Sequence, residues 1–279
     1  MDVKYADVEA MPDGYMDVCL FNGAIRNSEQ ERLAYLLRDK AKTLVAFGAC
    51  AQLGGVPGLA NLTSAKAIFE RAYHTTESTD NPEGSEPEPE GKKPKGRTEI
   101  PVFHETVKPL DRVVSVDYYL PGCPPPAKLI MNAVTAIASG KLPPKGSILA
   151  PELAVCDECP RKKEEKKIAA IRRVIDYTPE PEKCLLEQGI ICMGPATRGG
   201  CEARCVNANM PCTGCGGPCP GAVEQGSAMI SALSTVLGLD AEKGEGYDAQ
   251  KIAAEVKDPA GTFYKYALPS GIIPRRVKK

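Results

Sequence analysis

Twelve cysteines stand among 279 residues, and nine of them follow residue 150: Cys156, Cys159, Cys184, Cys192, Cys201, Cys205, Cys212, Cys215 and Cys219. Two pairs, Cys156/Cys159 and Cys212/Cys215, have the C-x2-C spacing that lets neighbouring thiolates face one metal centre. Disulfides at such density belong to small secreted domains, and this chain is neither small nor visibly secreted. A zinc site made of four thiolates would use the two C-x2-C knuckles and leave Cys184, Cys192, Cys201 and Cys205 without a task. A [4Fe–4S] cube takes four thiolates arriving from dispersed points, so two cubes account for all but one of the nine cysteines. Glycines between them expose backbone N–H groups that can hydrogen-bond cluster sulfur.

Cys50 and Cys123 sit differently, each in a Gly/Pro turn just beyond a strand-like run. Open α/β sheets bind ligands in the crevice at that end, so the two thiols read as half of a further site. Taken singly, each is equally readable as a small buried residue in a turn. Cys19 lies inside a strand-like run and reads as core. Cys219 is a spare thiol or an alternative to Cys205 as a ligand. Beyond the cysteines, nothing groups Ser, His or carboxylates for acid–base or nucleophilic catalysis. The Gly-Gly pairs at 54–55, 199–200 and 216–217 do not form a phosphate-binding G-x-x-x-x-G-K-[ST] loop.

The elements that would carry these residues divide the chain in two. Residues 1–148 alternate strand and helix signals, the mark of an α/β domain with a parallel sheet. Strands are expected at DVCLFNG (17–23), TLVAF (43–47) and RVVSVDYYL (112–120). Ser28 with Glu31 forms a capping box that opens a helix, and AKLIMNAVTAIASG (127–140) is a second helix closed by glycine. The stretch at 76–99, acidic then basic and rich in proline, reads as a flexible surface insertion. Residues 149–279 form an irregular cysteine-rich domain with two helical signals, basic and amphipathic at 161–175 and apolar at 223–238. Apolar side chains are so sparse along CMGPATRGGCEARCVNANMPCTGCGGPCPG (192–221) that an inorganic staple is expected in place of an ordinary core.

Composition excludes several classes. The net charge of −1 gives no reason to expect nucleic acid or an anionic membrane as partner. No apolar run approaches the roughly 20 residues of a membrane helix. The opening MDVKYADVEAMPDG is acidic and polar, unlike a secretory signal.

Four stretches then carry a resemblance: AFGACAQLGGVPGLANL (46–62), YYLPGCPPP (118–126), CDECPRK (156–162) and CLLEQGIICMGPATRGGC (184–201). They closely resemble the small subunit of [NiFe] hydrogenases, nearest the cytoplasmic, methyl-viologen-reducing type linked to heterodisulfide reductase. The resemblance implies a flavodoxin-like domain holding a proximal [4Fe–4S] cluster that faces a nickel–iron large subunit, followed by a domain holding medial and distal clusters. It places the distal ligands on Cys156, Cys159, Cys184 and Cys192, with Cys156 where many members have histidine. The medial pattern falls on Cys201, Cys212 and Cys215, with Cys205 as fourth ligand and Cys219 in reserve. Cys50 and Cys123 match two proximal ligands. The implied role is an electron-transfer subunit, cytoplasmic, that passes electrons from hydrogen oxidation in the large subunit to an iron–sulfur or flavin acceptor.

One departure is large. The family has a first strand followed by C-x2-C, the other two proximal ligands, and nothing here matches it. In a 2-1-3-4-5 sheet that strand is central, so its absence predicts a gap with unpaired backbone. A start upstream, or a separate segment filling the gap, is therefore expected, and with it a third cluster. Two rivals stay open: the same relay in a complex without a nickel site, such as an electron-bifurcating one, and a zinc-stabilised interaction module.

Overall fold

A computed structural model describes residues 4–88, 100–164, 167–168, 170–237 and 254–275. In chain order, α1 (Tyr5–Glu9) leads to β1 (Met16–Asn22), β2 (Ile25–Asn27), α2 (Ser28–Lys40), β3 (Ala41–Phe47) and α3 (Gly48–Leu53). After α4 (Ala65–Phe69) come β4 (Phe103–Lys108), β5 (Tyr118–Leu120) and α5 (Ala127–Ala138). The cysteine-rich half contributes α6 (Arg204–Asn207) and α7 (Gln225–Val236) among turns, and a short helix at Pro259–Phe263 follows.

The sheet is parallel, in the order β1-β3-β5, with Met16 opposite Ala41, Asn22 opposite Phe47 and Phe47 opposite Leu120. Ile148 adds a parallel bridge beside Tyr119. The gap expected from a missing central strand is not there. β1 pairs directly with β3 along its length, because the two strands satisfy each other's backbone groups once adjacent. Period-two alternation puts Leu44 and Ala46 in one buried cluster with Phe21 and Leu110, and Val45 in another with Leu120 and Leu129.

Local details differ from the sequence expectation in three places. The N-cap of α2 is Asn27, whose side chain accepts the Gln30 N–H, rather than Ser28. Ser28 instead pins the returning chain, its Oγ accepting the Val102 N–H at 3.0 Å while its own N–H donates to Val102 O. The strand expected over 112–120 is confined to Tyr118–Leu120, because Leu110–Arg112 forms a 3-10 turn that buries Leu110. Residues 161–175 form no helix where they are described. Their backbone pairs across the fold instead, Lys162 N–H to Glu182 O, Ile168 N–H to Val236 O and Arg172 N–H to Gly189 O, and tertiary pairing overrides helical propensity.

The second half also has an apolar core. Val155, Leu185, Leu186, Ile190 and Met193 pack with Met229 and Leu233 of α7, and with Cys192, Val206 and Cys212 from the cysteine-rich stretch itself. Of the segment 76–99, residues 89–99 lie outside the described residues; before them, Asn81 Nδ2 donates to Tyr73 O and Ser85 O.

Residues beyond 254 bind the halves together. Gly55 N–H donates to Tyr266 O, Asn61 Nδ2 to Pro274 O, and Tyr264 Oη to Glu224 Oε2. Pro269 lies so close to Gly54 and Gly58 that a Cβ on either would stand 2.3 Å from its ring.

Asp117 locks the sheet's edge. Its carboxylate, 7% exposed, accepts the Leu44 N–H and Arg38 Nη1, and pairs with Lys145. Burial pushes the carboxyl up, but Lys145, Arg38 and the Leu44 N–H outweigh it and bring the pKa down to about 2. A depressed carboxyl stabilises the fold fully above its unfolded value of about 3.9 and loses that contribution as pH falls toward the folded value. Asp117→Asn is expected to cost about 2 kcal/mol at pH 7. In urea unfolding the gap to wild type should stay constant from about pH 8 to 5 and narrow below about 4.

Candidate metal centres

Four cysteines that the sequence spreads over 156–192 meet at one cavity. Cys156 lies within the 3-10 turn Val155–Glu158 and Cys159 caps its end, Cys184 precedes the turn Leu186–Gln188, and Cys192 precedes the turn Gly194–Ala196. All four line a cavity of about 210 Å³ whose apolar walls include Leu185, Leu186, Val206 and Val236. Gly194 borders the sulfurs so closely that a Cβ there would stand 3.1 Å from Cys156 Sγ and 3.7 Å from Cys192 Sγ.

A second cavity, of about 240 Å³, is lined by Cys201, Cys205, Cys212 and Cys215, and also by Cys123. The Cys212–Cys215 turn is held from behind by Gln225, 2% exposed, whose Nε2 lies at hydrogen-bonding distance from Gly214 O, Gly217 O and Thr197 Oγ1. The two cavities share a wall. Cys212 N–H donates to Cys192 Sγ at 3.3 Å, and Met193 N–H returns to Cys212 O at 2.9 Å.

Cys50 sits in α3, at the carboxyl end of β3, and Cys123 follows β5, so the sheet brings both turns to one edge. Ala49 N–H donates to Gly122 O at 2.7 Å, fixing the turns against each other. The Cys50 thiol is pushed up by burial and then by the neighbouring Cys123. Cys123 also lines the second cavity, and its N–H opposes the upward push on the Cys215 thiol. Cys219 lines neither cavity described above, its N–H donating to Ala196 O, and Cys19 packs on the sheet core. The histidines pair with carboxylates, His74 with Glu86 at 2.6 Å and His104 with Glu31 at 3.2 Å.

Burial governs the thiols. It pushes Cys156 up to about 12, opposed by Lys163, and Cys215 up to about 11, opposed by the Cys123 N–H. It raises Cys192 against the Gly194 and Cys212 N–H groups, and Cys212 against the Gly214 N–H and the Thr197 hydroxyl. At neutral pH these thiols keep their protons, and a metal that binds them must displace protons while repaying the desolvation of charge. The donor set fits an iron–sulfur cluster at each cavity, with four sulfur ligands and backbone N–H groups near sulfur, and at the first a glycine where a side chain would intrude. Among the described residues no three His, Cys, Asp or Glu side chains converge tightly enough for a single ion.

Sequence reasoning missed three residues at these cavities. Gln225 carries no motif, and its role depends on carbonyls from a distant turn. Arg161 and Arg198, 8% and 7% exposed, each line one cavity. The CPR and TRGG strings around them were the only available signal.

Residues 1–137 match the family model described as NADH ubiquinone oxidoreductase, 20 Kd subunit. The iron-sulfur G subunit of F420-non-reducing hydrogenase from Archaeoglobus profundus is 40% identical over 283 residues, covering all of this chain and 86% of that one. The F420-non-reducing hydrogenase G subunit of Methanothermobacter thermautotrophicus is 37% identical, covering all of this chain and 85% of its own. The delta subunit of sulfhydrogenase 2 from Pyrococcus furiosus is 28% identical over 73% of this chain and 66% of that one.

Proposed function

The chain belongs to the family of F420-non-reducing hydrogenase G subunits, and we propose from that premise how its residues serve an electron relay. Cys156, Cys159, Cys184 and Cys192 hold one [4Fe–4S] cluster, and Cys201, Cys205, Cys212 and Cys215 hold another. Cys50 and Cys123 supply half the ligands of a third. The supporting observation is the partition itself: of the cysteines beyond residue 150, four line one cavity and four the other, where Cys123 joins them, and the two cavities share the Cys212–Cys192 contact. When bound, such clusters supply one-electron redox sites whose potentials depend on burial and on hydrogen bonds to sulfur.

The protein's own residues set order and environment. Cys50 and Cys123 face the donor, a partner large subunit that oxidises hydrogen. The Cys156 site is the terminal one, facing an iron–sulfur or flavin acceptor of the heterodisulfide-reductase type in the cytoplasm. The Cys212 N–H ties the two complete sites together, and Cys123 borders the second cavity. Apolar walls keep water from the sulfurs. Among the described residues no helix is long and apolar enough to cross a membrane. In domain terms, residues 1–148 carry the donor-side half-site and 149–279 the two complete ones.

Metal and acid-labile sulfide analysis of the isolated complex tests this. Two clusters give about eight iron and eight sulfide per chain, and a completed third brings iron to about twelve. Zinc without sulfide would overturn the relay in favour of a zinc-stabilised module.

A further inference from the structure

Arg161 lines the cavity of Cys156, Cys159, Cys184 and Cys192 and is 8% exposed. Its hydrogen bonds all go to uncharged acceptors: Nη1 to Glu180 O at 2.8 Å and Lys183 O at 2.9 Å, Nη2 to Val206 O at 3.3 Å and Asn209 Oδ1 at 2.5 Å. Its Nε is buried with no hydrogen-bond partner, and among the described residues no carboxylate forms an ion pair with it. A guanidinium stays charged at any pH the protein meets. Burying that charge without a counter-charge is strongly destabilising. Something anionic is therefore required beside it, and the cavity it lines is walled by four thiols and also by Glu187, which forms no ion pair with Arg161.

The second cavity has the same device in a weaker form. Arg198, 7% exposed, also has a buried Nε without a hydrogen-bond partner. Its Nη1, however, pairs with Glu152 Oε1 at 2.8 Å and donates to Pro151 O. Arg198 has a paired carboxylate to neutralise it, whereas Arg161 forms no ion pair among the described residues and faces the cavity of the four thiols and Glu187.

We propose that Arg161 is the counter-ion of the anionic cluster held by Cys156, Cys159, Cys184 and Cys192, and that its charge raises the reduction potential of that site. The proposal rests on the cluster reading above. Four deprotonated thiols around an iron–sulfur core leave net negative charge, and adding an electron adds more. A fixed positive charge in a poorly solvated cavity stabilises the reduced form more than the oxidised one. At the terminal site this draws electrons outward through the relay. Lys163, which lines the same cavity and opposes the upward push on the Cys156 thiol, adds to the field from a more exposed position.

The bland rival is a staple that merely joins the carbonyls of residues 180, 183 and 206. Two variants of the full complex separate the readings by redox titration followed by electron paramagnetic resonance. Arg161→Gln should shift one cluster's midpoint potential downward and leave the others in place. Arg161→Lys, which retains the charge but loses the fork, should keep that midpoint near wild type. An Arg161→Gln complex loaded with iron and unshifted in every midpoint would overturn the proposal. So would Arg161→Lys shifting the midpoint as far as Arg161→Gln. If Arg161→Gln does not accumulate, Arg161→Lys decides. Full iron with an unshifted midpoint supports the counter-ion, and loss of that cluster supports the staple and overturns it. Wild-type protein without iron and sulfide would remove the cluster reading and this inference together; a loaded wild type with unshifted variants removes the inference alone.

Discussion

A complex carrying Cys156→Ala is expected to lose about four iron atoms per chain and one of the signals of the reduced protein. Cys156 stands at the start of the cavity-lining set, and its sulfur lies against Gly194, where no side chain could replace it. Three thiols would remain around a space shaped for four. Because metal binding and folding are linked, the loss should extend to the surrounding turns. Loss of heat stability in the same complex is the second readout. Cys219→Ala supplies the contrast, since Cys219 lines neither cavity, and should retain its full iron. Equal iron in both variants would remove Cys156 from the ligand set. Cys205→Ala then distinguishes Cys205 from Cys219 as fourth ligand of the second site, because only the true ligand's loss lowers the iron content.

The second large effect is expected far from any ligand sulfur. Gly54→Val should destabilise the protein by about 4 kcal/mol. Part of this is the left-handed backbone at Gly54, φ +92°, which costs a β-branched residue roughly 1–3 kcal/mol. The rest is overpacking against the Pro269 ring, already within 2.3 Å of a Cβ, which adds about 1–3 kcal/mol. Gly140→Ala isolates the two contributions. Gly140 has φ +68° but nothing within 4 Å of its Cβ position, so only backbone strain should appear, about 1 kcal/mol. Thermal unfolding of both variants checks the difference. A Gly54→Val protein no less stable than Gly140→Ala would mean that Pro269 can move aside freely.

How much of this could be read from the sequence depends on whether a residue's partners are local. The strands at 17–23 and 43–47 were legible because alternation and apolar runs report burial directly. The cysteine sets were legible as candidates because C-x2-C spacing and turn-forming glycines announce themselves. The helix expected at 161–175 failed because Lys162, Ile168 and Arg172 find backbone partners at 182, 236 and 189, which no local pattern encodes. Arg161 was invisible for the same reason: three of its four acceptors are backbone carbonyls, which have no side-chain signature, and the fourth, Asn209, lies far along the chain. Reading Ser28 as the cap missed by one residue, since Asn27 performs the same chemistry and frees Ser28 to hold Val102. The gap expected between the first strands closed because unpaired strand edges pair with each other when they can. The core of the second half escaped because Met193, Val206 and Met229 are too far apart in sequence to show a period.

The clasp of Pro269 between Gly54 and Gly58, with Gly55 N–H on Tyr266 O, bears on the order of events during biosynthesis. Cys50 leaves the ribosome early, yet the segment that seals its turn is translated long after it. The sheet can therefore form while the Cys50 turn is still open to solvent. The turn that carries Cys50 is thus closed over only once the segment around Tyr266 and Pro269 has been made.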